Sequence, residues 1–226
     1  LAKQVGAPIV RLICASNEIK VLADFFETGV YDINRPFYMT EAPSMDILIS
    51  SNFERFLYYL TGSAEQVRES MDRLKKEGKY EVSKEAFAKA DMEMMGGWAS
   101  PEDMAHAMSE VYENYDYLMD PHTAVAYAVY DHLRREGEIP RHSHTVIIST
   151  AHPYKFPGVV AKALGLKEME SPYDTLREIA DKTGIPVPKQ LGELENRPKR
   201  FTETVDRKDM AGTIRSYADE ICGSSH

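Results

Sequence analysis

Hydroxyl and imidazole groups gather at the end of one apolar run. Val146-Ile147-Ile148 is followed by Ser149, Thr150 and His152, then by Pro153-Tyr154-Lys155-Phe156. Open α/β sheets bind ligands just past the carboxyl ends of their strands, so these side chains are candidates to face a ligand. The other account is that Ser149 and Thr150 only cap the following helix, and spacing leaves both open. Asp120-Pro121-His122-Thr123 puts an acid, an imidazole and a hydroxyl at a helix start, where free amides favour an anion. On spacing alone, capping by Asp120 is the simpler account. His142 and His144 flank Ser143 and point the same way on a strand. Zinc needs further ligands and no partner motif follows, so no metal site is assigned. Lys155 reads as a surface lysine, and Met92, Met94 and Met95 with Trp98 as core filling. The chain carries no P-loop, GxSxG or HExxH pattern.

The elements that must position these groups alternate in type. Ala7 to Cys14 is a short apolar run bounded by Pro and Ser-Asn, which predicts a buried strand. Asn17 is placed to cap a helix carrying Ile19, Leu22, Phe25 and Phe26, stopped by Gly29. Asn52 to Leu60 and Ser63 to Lys76 read as helices. Lys79 to Asp91 reads as an extended segment and then a short helix, and Met92 to Trp98 as a flexible connection. Ser100-Pro101-Glu102-Asp103 and Asp120-Pro121 are strong helix starts. Thr145 to Ser149 is the clearest strand. Pro153 to Ala163 leads into another helix, Ser171-Pro172 starts one more, and a last helix follows Asp206 after a Pro-rich connection. Strands alternating with helices predict an α/β fold with a twisted, mostly parallel sheet and flanking helices.

With 226 residues, 43% of them hydrophobic, the chain can bury a sizeable core. A net charge of -9 argues against nucleic acid and against acidic membranes as partners. No apolar run is long enough to span a bilayer. Two cysteines, Cys14 and Cys222, allow one disulfide but fit reduced cytoplasmic thiols more simply. Leu1 to Gly6 lacks the layout of a signal peptide. It opens inside what reads as a helix end, without an initiator methionine, so an upstream piece is expected. Residues 1–165 are expected to form one α/β domain, 166–222 a helical extension, and 223–226 a tag remnant.

Five segments carry a resemblance. Ala42-Pro-Ser-Met-Asp-Ile-Leu-Ile-Ser-Ser-Asn-Phe-Glu-Arg55 resembles the signature of threonine synthases of bacterial and fungal type. Leu12 to Asn17 and Thr28 to Asp32 resemble the stretch preceding it. Asp120 to Ala124 and Ser149 to Phe156 resemble two later blocks, in the family's order. The likeness runs from Leu1 to about Ala163 and is weaker beyond.

The resemblance implies part of a fold-type II pyridoxal-phosphate enzyme, a carbon-oxygen lyase acting on phosphates. Its substrates are O-phosphohomoserine and water, its products threonine and phosphate, and its setting threonine biosynthesis. The cofactor lysine and the glycine-rich phosphate loop belong to the N-terminal half and match no position here. No catalytic residue is therefore assigned, and the isolated chain is expected to be inactive. The resemblance places Thr150 opposite the pyridine nitrogen of pyridoxal phosphate. Ser51, Asn52, Arg55, Asp120, His122, Ser149 and His152 are the candidate substrate or cleft residues. Arg55 is either a partner for an anion or a structural ion-pair member with Glu54 or another acid. Expected partners are the missing N-terminal half and, through uncovered core, a second copy. The competing expectations are another lyase or dehydratase of the same fold, or a binding module without catalysis.

Overall fold

The computed structural model describes residues 2–167 and 169–223. Leu1 and, of the expected tag remnant, Ser224 to His226 lie outside the described residues. The chain divides into two compact units, Leu1–Pro188 and Lys189–His226.

The first unit is built on a parallel pair of strands, β1 (Leu12–Ser16) and β4 (Met94–Trp98), with Leu12 opposite Met94 and Ser16 opposite Trp98. Between them run α1 (Val21–Thr28), β2 (Val30–Asp32), α2 (Phe53–Thr61), α3 (Ala64–Glu77), β3 (Lys79–Glu81) and α4 (Lys84–Glu93). After β4 come α5 (Pro101–Tyr115), α6 (Pro121–Arg135), α7 (Pro157–Ala163) and α8 (Pro172–Thr183). β2 and β3 pair antiparallel, Tyr31 opposite Tyr80. The result is the expected α/β arrangement, a parallel pair with helices on both faces.

β4 corrects the expectation of a flexible connection over Met92 to Trp98. Its two glycines are there for close approach, not for looseness. A Cβ on Gly96 would stand 2.8 Å from the Ala23 carbonyl oxygen of α1. One on Gly97 would stand 2.4 Å from Val129 Cγ1 of α6. Successive strand residues face opposite sides, so the pair lets one helix close on each face. Met92 and Trp98 are exposed, not core, and Lys20 Nζ sits 4.8 Å over the Trp98 ring.

The second correction concerns Thr145 to Ser149. The segment forms no strand among the described residues, and Val146 and Ile148 are 80% and 71% exposed. Its composition suits a strand, but a strand needs a neighbour to complete its hydrogen bonds, and none lies alongside. The third concerns Asn17. It does not cap α1, whose N-terminal flank is Lys20 at φ 41°. The buried Asn17 side chain instead donates to Asp46 Oδ1 (2.7 Å) and Thr40 Oγ1 (2.9 Å), and its Oδ1 accepts from the Ile19 amide.

An aromatic core lies under α1 and α2. Phe25 and Phe53 meet edge to face at 4.7 Å, and Tyr31 stacks on Tyr80 at 5.3 Å. The Tyr31 hydroxyl accepts from the Ser50 amide (2.8 Å) and donates to the Leu48 carbonyl (2.9 Å), pinning the end of the 42–55 segment. Tyr31→Phe is expected to lower unfolding stability by about 1–3 kcal/mol, because two backbone groups lose their partner. A urea midpoint would measure it, and faster exchange of the Ser50 amide would locate it. Both cysteines are free, and burial pushes the Cys14 thiol up to about 11.

The second unit holds α9 (Lys189–Gly192), a turn of 3-10 helix at Glu193–Asn196, and α10 (Met210–Gly223), none of whose residues is buried. Within it, the Tyr217 hydroxyl donates to Glu203 at 2.7 Å. The boundary after Pro188 leaves α8 in the first unit.

Candidate functional site

The site assembles around the start of α6. Asp120 caps that helix, accepting on Oδ1 from the His122 amide (2.9 Å) and the Thr123 amide (3.4 Å), with Pro121 at the first helical position. The carboxylate does more than cap. Oδ1 also lies 3.0 Å from His122 Nδ1, and Oδ2 accepts a short hydrogen bond from the Thr123 hydroxyl. Burial raises the carboxyl pKa. Hydrogen bonds from the His122 and Thr123 side chains and amides outweigh it and bring the pKa down to about 2.

Two distant segments fasten to this cluster. The Ser44 amide donates to His122 Nε2 at 3.0 Å, across 78 positions of sequence. Thr123 Oγ1 lies 3.2 Å from Ser149 Oγ. The Phe156 ring meets the His122 ring edge to face at 4.9 Å. The 42–46 loop is held from its other side as well, since Asp46 accepts from the Thr40 amide (2.8 Å) and hydroxyl (2.7 Å). Glu41, just before this loop, pairs with Lys162 of α7 at 2.6 Å, beside an open groove of about 520 Å³ lined by Gly158, Val159 and Leu166.

The expected site residues thus separate into a group that meets and a group that does not. Asp120, His122 and Ser149 join in one hydrogen-bonded cluster. Asp120 and His122 are 1% and 4% exposed, so they underlie the surface and do not form it. Thr150, next to Ser149, is exposed and makes no side-chain hydrogen bond among the described residues. His152 is exposed; its Nδ1 accepts from the Tyr154 amide and its ring stacks on Tyr154. Ser51, Asn52 and Arg55 stand exposed at the start of α2. Asn52 makes no side-chain cap, and Arg55 has no ion pair among the described residues. Lys155 is exposed, and the described residues hold no cluster of metal ligands. Residue types alone gave no sign of Thr40, Asp46 or Ser44, and offered Asn17 only as a helix cap. Only the quoted blocks, which contain or border them, pointed there.

Comparison with known proteins gives a consistent result. Residues 123–214 match the family model described as threonine synthase, C-terminal. The human protein named threonine synthase-like 1 is 36% identical over 224 residues, covering 97% of this chain and 29% of that protein. The crystal structure of threonine synthase from yeast matches with a TM-score of 0.81 and 30% identity, covering 97% of this chain and 44% of that one. The pyridoxal-phosphate-bound threonine synthase from Brucella melitensis matches with a TM-score of 0.71 and 33% identity, covering 89% and 39%. The chain therefore spans less than half the length of the relatives it matches.

Proposed function

This chain is related in sequence and in fold to the threonine synthases, and we propose that it is the C-terminal portion of an enzyme converting O-phosphohomoserine and water to threonine and phosphate. The observation that carries the reading is the convergence on His122 of three segments far apart in sequence: 42–46, 120–123 and 149–156. Each belongs to a block that resembles the family, and folding brings them into one cluster.

Pyridoxal phosphate, when bound, supplies the electron sink for proton removal from the substrate. The residues here fit one wall of such a site. Thr150 offers a neutral, unengaged hydroxyl on an anchored segment, suited to donate to an unprotonated pyridine nitrogen. A carboxylate at that position would instead keep the nitrogen protonated. Ser51 and Asn52, at the start of α2, and Arg55, which has no ion pair among the described residues, are suited to meet an anionic group of the substrate. His152 orders the turn before Phe156. The cofactor lysine and the phosphate cradle come, in this reading, from a part of the protein outside these residues, in a cytoplasmic setting. No helix among the described residues is long and apolar enough to cross a membrane.

Incubation with pyridoxal phosphate and O-phosphohomoserine tests this. The 226-residue chain alone is expected to form no threonine, and the full-length protein to form threonine and phosphate in equal amounts. Threonine from the chain alone would overturn the incomplete-site reading. Phosphate without threonine from the full-length protein would point to another lyase of the same fold, and neither product to a binding module.

A further inference from the structure

Proton accounting around Asp120 gives every hydrogen bond of the cluster a direction. A backbone amide only donates, so the Ser44 N–H pointing at His122 Nε2 leaves that nitrogen without a proton. The ring proton then sits on Nδ1, where the Asp120 carboxylate accepts it. Thr123 has one hydroxyl proton, and Asp120 Oδ2 takes it. Ser149 must therefore be the donor in its 3.2 Å contact with Thr123 Oγ1. The chain reads Ser149 to Thr123 to Asp120 from one side, and Ser44 to His122 to Asp120 from the other.

We propose that Asp120 is the positioning residue of this site: one buried carboxylate that holds the 42–46 loop through His122 and the Ser149-Thr150 segment through Thr123, leaving Ser149 to face a ligand only as an acceptor. The link to catalysis rests on the function proposed above; the directions of the bonds do not. Any group set against Ser149 must bring its own proton, whereas Thr150, whose proton is uncommitted, can give or take one. Capping explains only part of the arrangement. A cap needs one side-chain oxygen, which serine would supply as well. Here the second carboxylate oxygen and the contact to the ring tie down residues from two other parts of the chain.

The full-length protein, uniformly labelled with 15N and followed by histidine nitrogen shifts, amide hydrogen exchange and amide order parameters, tests the proposal without cofactor or turnover. Wild type is expected to show His122 as the neutral Nδ1–H tautomer. Asp120→Ser keeps a capping oxygen, and is expected to speed exchange of the Ser44 amide by roughly tenfold or more and to lower the amide order parameters over 146–150. Thr123→Val is expected to loosen only 146–150 and leave Ser44 protected. An Nε2–H tautomer in wild type would overturn the proposal even if Asp120→Ser failed to fold. So would an Asp120→Ser variant with wild-type exchange at Ser44, or a Thr123→Val variant with wild-type order parameters over 146–150. If these readouts hold while the full-length protein makes no threonine, the functional reading fails and the positioning role stands.

Discussion

Gly96→Ala lowers the unfolding free energy by about 3 kcal/mol, the upper part of the range for overpacking a well-filled core. The added methyl meets the Ala23 carbonyl oxygen at 2.8 Å, the Ala23 Cα at 2.9 Å and Phe26 Cβ at 3.0 Å. Two of these are backbone of α1, so no rotamer change relieves them, and α1 must move off the strand. Gly97→Ala is expected to cost less. Its close contact, at 2.4 Å, is a single methyl of Val129, though a β-branched side chain in a helix has little freedom to turn away. Val129→Ala should therefore recover part of the Gly97→Ala loss and none of the Gly96→Ala loss. Urea unfolding of the three single variants and of the two doubles with Val129→Ala, in two double-mutant cycles, measures this, with a coupling of about 1–2 kcal/mol expected for the 97–129 pair. Equal recovery at both glycines would mean that the strand is not clasped separately on its two faces.

Acid should weaken the fold through Asp120. Its carboxyl is held down at about 2 against an ordinary 3.8, because the hydrogen bonds it accepts outweigh its burial. A carboxyl depressed in the folded state adds stability above its unfolded pKa, and that stability disappears as pH falls through the folded value. The window therefore lies between about pH 4 and pH 2, and the amount at stake is about 2–3 kcal/mol. Asp120→Asn is expected to be less stable than wild type by this amount at pH 7 and to approach it near pH 2. Denaturant midpoints at pH 2, 4 and 7 would show it. A parallel decline of both proteins across that window would assign the acid sensitivity to other carboxylates.

The helix starts at Ser100, Asp120 and Ser171 were legible because their chemistry is local. Ser100 and Asp103 form a reciprocal capping box three residues apart, and Asp120 and Ser171 accept from amides two or three positions ahead. A reader of sequence has all of those partners in view. β4 was not legible, since Gly96-Gly97 looks like a hinge until Ala23 and Val129 are known to lie against it. Thr145 to Ser149 misled in the opposite sense: its residues favour a strand, but a ladder is a property of two segments. The cluster at Asp120 falls between these cases. The cap could be read, but the bond from Ser44 to His122 spans 78 positions and could not. Resemblance to a family named the blocks that meet at His122. Only folding joined them, and only the burial of Asp120 and His122 turned them from ligand contacts into supports.

The six residues Thr145 to Thr150 carry no charge, no proline and no glycine, and three in succession are β-branched aliphatics. Val146 and Ile148 stand in water there. Such a hexapeptide, extended and unladdered, is a seed for cross-β stacking with copies of itself. A ribosome that releases this stretch before any shield is in place creates a substrate for chaperones. In the test tube, dilution is then expected to lengthen the time for which a preparation of this polypeptide stays clear.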